Sequence, residues 1–245
     1  MEKSRKLSIV IPVYNEEKFI QKTLEKVIMA DSCGFTKEII IVNDGSTDKT
    51  GLKVRSQKSK LERTSKNIKI ILIEKKKNEG KGAALKTGFL KSTGDIVLVQ
   101  DADLEYNPDD YPLLLEPFLK NDADVVYGSR LISNRPHRVL YFWHYLANIA
   151  LTTLSNIFTN LNLTDMETGY KVFKGPLIRK IAPKLESKRF GFEPEITARL
   201  AKINGLKIYE VGVSYFGRTY EEGKKISWKD GLMGIWQIVK YNLLS

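Results

Sequence analysis

At 245 residues the chain is long enough to bury an ample core, as one large α/β domain or two small ones. A single cysteine, Cys33, excludes an internal disulfide framework and a cysteine metal cluster, which makes a reducing compartment the default. The net charge of +11, from 40 basic and 29 acidic residues, calls for an anionic partner, yet no zinc-finger spacing, basic zipper or aromatic RNA-binding signature singles out nucleic acid.

The charged N-terminus precedes an apolar run, residues 7–13, that Pro12 interrupts and that is too short for a signal-peptide core. Residues 7–14 read instead as a first buried strand, with Pro12 ending its central pairing. Asn15-Glu16-Glu17 then opens a helix whose apolar positions Phe19, Ile20, Leu24, Val27 and Ile28 recur at helical spacing, with acids in the first turn where the helix dipole favours them. Residues 38–42 form a second buried strand, ending in Asn43-Asp44-Gly45-Ser46-Thr47-Asp48. Strand, acidic turn, helix is the rhythm of an α/β protein.

A polar, lysine-rich helix over 49–66 leads to a third strand at 68–73. The next turn, residues 75–86, is basic and bears Gly80 and Gly82. It is not a Walker loop, because no second glycine is followed by Lys and Ser/Thr, and not a dinucleotide fingerprint, because Leu85 stands where the third glycine belongs. Free amides at a helix N-terminus, with Lys81 among them, suit a phosphate or a ribose.

Ile96-Val97-Leu98-Val99 reads as a strand buried on both faces, and it runs into Gln100-Asp101-Ala102-Asp103-Leu104-Glu105. Ligands of open α/β sheets bind beyond the carboxyl ends of strands. Period-two alternation puts Asp101 and Asp103 on one side, with Ala102 leaving room beside them. Two readings stand: a divalent metal that also holds a diphosphate, or an acidic turn capping the helix that starts at Asn107-Pro108-Asp109-Asp110 and runs from about 109 to 119. A strand over 123–130 brings Arg130 to the same edge, either to clamp a second phosphate or to salt-bridge one of those acids.

Residues 139–164 carry no charge and are tested as a membrane span. Leu140, Trp143, Ala147, Leu151, Leu154, Phe158 and Leu161 form a helical stripe, while His144, Asn148, Thr152, Ser155, Asn156 and Thr159 break the remaining face. One or two helices, packed into the core or lying in a membrane interface, fit this better than a crossing. Arg135, His137 and Arg138 just before it suit an anionic lipid headgroup.

The last third begins with residues 165–173, followed by a helix near 176–181 and another begun at Pro194, with Glu193 at its mouth and Glu195, Ala198 and Arg199 along it. Residues 207–213 read as a final strand suited to a sheet edge. A polar, glycine-spaced loop over 218–226 is of the kind that folds over anionic ligands, and Trp228, Leu232, Ile235, Trp236, Val239 and Leu243 mark a closing helix. No internal repeat and no low-complexity linker interrupts the chain, so 1–245 is expected to be one domain.

Four strand ends thus carry Tyr14-Asn15-Glu16, Asn43-Asp44-Gly45-Ser46, Asp101-Ala102-Asp103 and Gly128-Ser129-Arg130, in that order. Together they resemble glycosyltransferase family 2, with the GT-A fold, and specifically the polyprenyl-phosphate (dolichyl-phosphate) mannose and glucose synthases. The likeness covers almost the whole chain: residues 10–16 and 42–48 carry it most strongly, 78–82 and 165–171 add to it, and 221–230 lean towards the glucosyl branch. It implies an α/β fold with a mostly parallel central sheet flanked by helices. A nucleotide-binding part would cover about 1–130, and an acceptor part with amphipathic helices about 131–245.

The resemblance also implies roles. Pro12, Tyr14, Glu16 and Asp44 would line the nucleobase and ribose, with Lys81 beside the nucleotide. Asp101 and Asp103, with Ala102 between them, would bind Mg²⁺ or Mn²⁺ together with the donor diphosphate. Glu105 stands where mannose synthases can carry Gln as a further metal ligand. Arg130, and with it Arg138, would hold the acceptor phosphate, and Arg218 and Lys224 would close over the donor diphosphate. The activity implied is metal-dependent, inverting transfer of glucose or mannose from a UDP- or GDP-hexose to dolichyl, undecaprenyl or another polyprenyl phosphate. The alternative within the family is a sugar hydroxyl acceptor in surface polysaccharide or glycolipid synthesis, with Asp165 or Glu193 as base. Several relatives continue into transmembrane helices where this chain ends at Ser245. The expectation is therefore a cytoplasmic protein, peripheral at the inner face of a membrane, alone or with an integral membrane partner, and with no role for nucleic acid.

Overall fold

The computed structural model describes residues 5–64, 68–132, 137–139, 141–189, 191–219, 221 and 228–244; the side chains of 61–64 and 228–230 fall outside that description. Four apolar runs, β1 (Lys6–Val13), β2 (Thr36–Asn43), β3 (Ile68–Glu74) and β4 (Ile96–Val99), pair in parallel in the order β3-β2-β1-β4. Ile9, Val10, Ile11, Ile39, Ile40, Ile41, Val97 and Leu98 are fully buried whichever way they point. That is why these strands read as continuous apolar runs rather than alternating ones: helices cover both faces. One face packs against α1 (Ile20–Met29) and α4 (Tyr111–Lys120), through Leu24, Val27 and Leu114. The other packs against α3 (Lys81–Lys91) and α7 (Phe192–Ala201), through Leu85, Phe89, Phe192 and Ile196. The helix α2 (Thr50–Thr64) joins β2 to β3.

Three more strands, β5 (Val125–Ser129), β6 (Lys171–Lys174) and β7 (Ile208–Gly212), complete the order β3-β2-β1-β4-β6-β5-β7. The strand β6 runs antiparallel to both β4 and β5, whereas β5 and β7 are parallel and β7 is the edge, as its sequence suggests. No strand was expected at β6, which has four residues and a lysine at each end. Its direction matters for function. An antiparallel strand enters the sheet at the end where its neighbours leave, so the residues before β6 lie across the carboxyl end of β4.

Two local expectations are corrected, and a third is narrowed. Pro12 ends only half of its strand's pairing: β1 pairs with β4 as far as Val10↔Val99, but with β2 through Pro12↔Val42 and Val13↔Asn43. The Val10 carbonyl accepts from Gln100 on the β4 side and the Val13 carbonyl from Asp44 on the β2 side. By the alternation of a parallel strand, the missing N–H of Pro12 therefore faces the side where pairing has already stopped. Helix α1 starts at Ile20, not at Asn15: Asn15 has φ 53°, and its amide donates to Ser46 Oγ. Residues 139–164 contain one helix, α5 (Phe142–Thr159), whose fully buried residues are Thr152 and Ser155. The helices α6 (Gly175–Ile181) and α8 (Trp228–Leu243) complete the chain.

Candidate active site

The ends of β1 and β2 are interlocked. Asn15 Oδ1 accepts from the Thr47 amide, Glu16 donates its amide to Thr50 Oγ1, and Glu17 donates its amide to Asp48. Asp44, only 2% exposed, accepts from the amides of Glu79 (3.0 Å) and Gly80 (2.6 Å) and pairs with Lys75 at 3.0 Å. Asp44 thus fastens the 75–80 turn to β2.

That fastening overturns the expectation of free amides before α3. Besides those held by Asp44, the Ala83 amide donates to the Lys188 carbonyl. A Cβ on Gly80 (φ 100°) would stand 2.2 Å from the same carbonyl. Protein groups cover this helix start, and what it delivers is the side chain of Lys81.

Beyond Val99, Gln100 is fully buried and anchors the strand end: its Oε1 accepts from Tyr111 and Tyr170, and its Nε2 donates to the Asp101 carbonyl. The chain then turns instead of running on extended, with Leu104 at φ 63°. The alternation argument for the acid pair therefore fails in detail. Ala102 is buried in the core, its carbonyl held by Thr23, and the two carboxylates face different cations. Asp101 pairs with Lys81 at 3.0 Å, which also pairs with Glu193 at 3.1 Å. Asp103 pairs with Arg218 at 2.8 Å. Arg218 also reaches Glu105 at 3.0 Å and Glu16 at 3.7 Å, and its guanidinium lies over the Phe19 ring.

The electrostatics follow from this crowding. Burial, Asp101 and Glu105 push the Asp103 carboxyl up to about 7 against the opposing pull of Arg218. Burial alone lowers the Lys81 pKa, but Asp101 and Glu193 outweigh it and hold the ammonium well above its usual range. Five carboxylates (Glu16, Asp101, Asp103, Glu105, Glu193) face two cations (Lys81, Arg218), a surplus of negative charge.

Arg130 meets neither acid of the pair. Its Nε donates to Asp165 Oδ2 at 2.6 Å and its Nη2 to Asp165 Oδ1 at 2.6 Å, and Asn148 braces the same carboxylate. Asp165 is fully buried; burial raises its pKa, but Arg130 outweighs this and the net shift is downward. A carboxylate so committed to a guanidinium is unsuited to act as a base, which removes Asp165 from that expected role. Glu193, which ion-pairs with Lys81, stays compatible with it.

Between the two arms lie residues that sequence reasoning missed. Tyr106 accepts from the Gly169 amide at 2.8 Å and packs on Tyr170 and Tyr215. Gly169 has to be glycine, since a Cβ would stand 2.3 Å from Asp101 Oδ2. Lys171, 1% exposed, donates to the carbonyls of Met166 and Thr168, holding the turn before β6, and burial lowers its pKa. Gly169 and Lys171 lie in the 165–171 stretch that carries the family resemblance, but no role was given to them individually, and nothing in the sequence marked Tyr106. Lys224 lies outside the described residues, as does most of the 221–230 stretch.

The profile of the family described as Glycosyl transferase family 2 matches residues 8–181, most of the chain and every element from β1 to α6. The chain belongs to glycosyltransferase family 2. A dolichyl-phosphate β-glucosyltransferase of Trichomonas vaginalis is 30% identical over 222 residues, covering 85% of this glycosyltransferase and 65% of that protein. An undecaprenyl-phosphate mannosyltransferase of Micrococcus luteus is 29% identical over 222 residues, covering 88% and 85%. The chain thus spans just under two thirds of the length of the first of these relatives. Glucosyl-3-phosphoglycerate synthase from Mycobacterium tuberculosis, solved with Mn²⁺, uridine diphosphate and phosphoglyceric acid, superposes with a TM-score of 0.72 at 19% identity, covering 98% of this chain and 80% of that one. The fold is that of the GT-A glycosyltransferases.

Among the described residues no group of three or more His, Cys, Asp or Glu side chains converges on one point. Glu105, expected as a third ligand, accepts from Tyr215 Oη at 2.7 Å on one oxygen and from Arg218 on the other. The remaining donors, Asp101 and Asp103, still fit a hard cation. Magnesium-type sites use one or two carboxylates and complete their coordination with substrate phosphates, and the surplus negative charge here favours a divalent ion.

Outside the site, α5 and α8 pack together yet expose much of their apolar surface. Phe142 is 63% exposed, Trp143 74%, Ile157 71% and Trp236 56%. Of the two readings of the stripe, packing into the core holds among the described residues for Leu151, Leu154 and Leu161, which touch the α3–α7 cluster. Among the described residues no helix is long and apolar enough to cross a membrane.

Proposed function

We propose that this glycosyltransferase moves a hexose, glucose or mannose, from a UDP- or GDP-sugar to a polyprenyl phosphate, with inversion and with Mg²⁺ or Mn²⁺. The observation that carries this reading is the placement of two arginine-bearing groups at one end of the sheet, beyond β4 and β5. One is the acid pair with Lys81 and Arg218; the other is the Arg130 arm, beside uncovered apolar helices.

Asp101 and Asp103 would hold the metal, which when bound supplies positive charge to the leaving diphosphate. Arg218, and in our reading Lys224, add fixed positive charge on the same leaving group. Lys81 holds Asp101 in place through their ion pair. Pro12, Tyr14, Glu16 and Asp44 are assigned to the nucleoside side, Asp44 by shaping the 75–80 turn. On the other arm Arg130, aligned by Asp165, and Arg138 would bind the acceptor phosphate. A phosphate monoester is ionised at neutral pH, so no general base is needed. An acceptor oxygen forms its bond to the anomeric carbon as the bond to the diphosphate breaks, and the electron pair leaves with the nucleoside diphosphate. Glu105 takes the part of a brace for Arg218 rather than of a metal ligand.

The exposed faces of α5 and α8, with the net charge of +11, support a protein held peripherally at an anionic membrane surface, reversibly and in a salt-sensitive way. Both named relatives are, by name, polyprenyl-phosphate glycosyltransferases. The test is transfer from UDP-glucose and GDP-mannose, with Mn²⁺ or Mg²⁺, to a short polyprenyl phosphate against a panel of sugar hydroxyl acceptors. Formation of β-linked polyprenyl-phosphate hexose supports the reading. Transfer to sugar hydroxyls alone contradicts it and turns attention to Glu193 as base.

A further inference from the structure

The three described arginines assigned to phosphates share a neighbour that none of the expected roles includes. Tyr215 Oη donates to Glu105 Oε2 at 2.7 Å, and Glu105 Oε1 in turn accepts from the Arg218 amide at 3.1 Å and from Arg218 Nε at 3.0 Å. The ring of the same tyrosine lies under Arg130, with the guanidinium carbon 5.2 Å from its centroid. Its carbonyl accepts from the Arg138 amide at 2.9 Å. Its backbone bridges to both Tyr106 and His137, and the next amide, that of Phe216, donates to the Glu105 carbonyl at 2.9 Å. The anchor beneath it is firm: the neighbouring Ser214 donates its amide to the buried Asp110 at 2.7 Å.

We infer that Tyr215 is a positioning residue that couples the donor-diphosphate arm of the site to its acceptor-phosphate arm. The inference rests on the reading given under Proposed function. Its two halves are chemically separable. The hydroxyl acts on the donor side alone, because it fixes the Glu105 carboxylate that holds Arg218 beside Asp103. The ring acts mainly on the acceptor side, because a guanidinium over an aromatic face keeps its orientation and stays partly desolvated, and it packs besides on Tyr106. Burying a tyrosine needs only some partner for its hydroxyl. Here that partner is a carboxylate already engaged with a site arginine.

The experiment uses the full chain and two variants, Tyr215→Phe and Tyr215→Leu. UDP and GDP, each with Mn²⁺, are titrated by calorimetry, and the Michaelis constants for donor and polyprenyl phosphate are measured separately. Tyr215→Phe keeps the ring and loses the hydrogen bond to a charged group, so Mn²⁺-nucleotide affinity and the donor KM worsen about tenfold. The acceptor KM moves less than about twofold in that variant. Tyr215→Leu adds an increase of about fivefold in the acceptor KM. Should Tyr215→Leu not fold, Tyr215→Phe decides alone through the split between the two KM values. Equal shifts of both constants in Tyr215→Phe, unchanged constants, or a fall in kcat that merely follows a lowered melting temperature would each overturn the inference. If the unsubstituted protein transfers no sugar to polyprenyl phosphate, the functional reading fails and the inference with it. Normal transfer with an indifferent Tyr215→Phe overturns the inference alone.

Discussion

The end of β4 and the α5–α8 face are built on opposite plans. At the end of β4 nearly every polar group has a partner within the protein: Asp101 has Lys81, Asp103 has Arg218, Asp165 has Arg130, and Gln100 has two tyrosines. On α5 and α8 large apolar side chains such as Phe142, Trp143 and Trp236 stand uncovered. An unpaired ion in a low-dielectric cleft costs several kcal/mol, so each acid here sits against a cation, although the carboxylates outnumber the cations. Apolar surface can wait for a partner, because its exposure costs little per residue and is recovered on contact. The first region pairs most of its charge within the fold; the second leaves large apolar side chains uncovered among the described residues.

The largest effect expected from breaking this contrast is at the acid pair. Asp103→Asn keeps the shape but removes a charge, and transfer should fall by about 10²- to 10³-fold in kcat/KM, with little change in melting temperature. Next is Asp165→Ala, which leaves the Arg130 guanidinium without its buried partner. It should lower stability by about 3–5 kcal/mol in denaturant titrations and raise the KM for polyprenyl phosphate. On the other surface, Trp143→Ser should leave melting temperature and turnover of a water-soluble acceptor unchanged, yet weaken sedimentation with anionic vesicles about tenfold at low salt. Retention of full vesicle binding by Trp143→Ser together with Phe142→Ser would refute a membrane role for this face.

The smallest effect lies far from both regions and tests the pH arithmetic. Hydrogen bonds from Lys174 and Lys207 hold the Asp122 carboxyl at about 2, below its usual value near 3.8. A depressed pKa gives stability that is full above about pH 4 and is lost as pH falls towards 2. Asp122→Asn should therefore lower stability slightly at pH 7 and down to about pH 4, with the difference from the unsubstituted protein closing as pH falls from 4 towards 2; an unchanged profile would contradict the pairing.

The two regions also differ in how far they could be read from sequence. The buried strands were legible because β1, β2 and β4 carry unbroken apolar runs, and Asp101, Asp103 and Arg130 because they follow such runs directly. What joins the site was not. The strand β6 is four residues of Lys-Val-Phe-Lys, too short for any periodicity to register, and its antiparallel entry alone brings Asp165 and Gly169 to the end of β4. The partner of Arg130 was misassigned because Asp165 lies 35 residues away along the chain. The amides before α3 were expected to be free because nothing local in sequence reveals that Asp44 and Lys188 claim them. For α5, the stripe of apolar residues was real, but helical spacing tells which residues share a face and not which face is covered.

The most direct test is binding of UDP and GDP to the unsubstituted protein, by calorimetry, with Mn²⁺ and then with excess chelator. If the acid pair holds a metal–diphosphate, one of the two nucleotides binds in the presence of Mn²⁺, chelator abolishes binding, and Asp103→Asn reproduces the chelator result. Equal affinity with and without the metal would contradict the account, leaving Lys81 and Arg218 as the groups that bind the diphosphate.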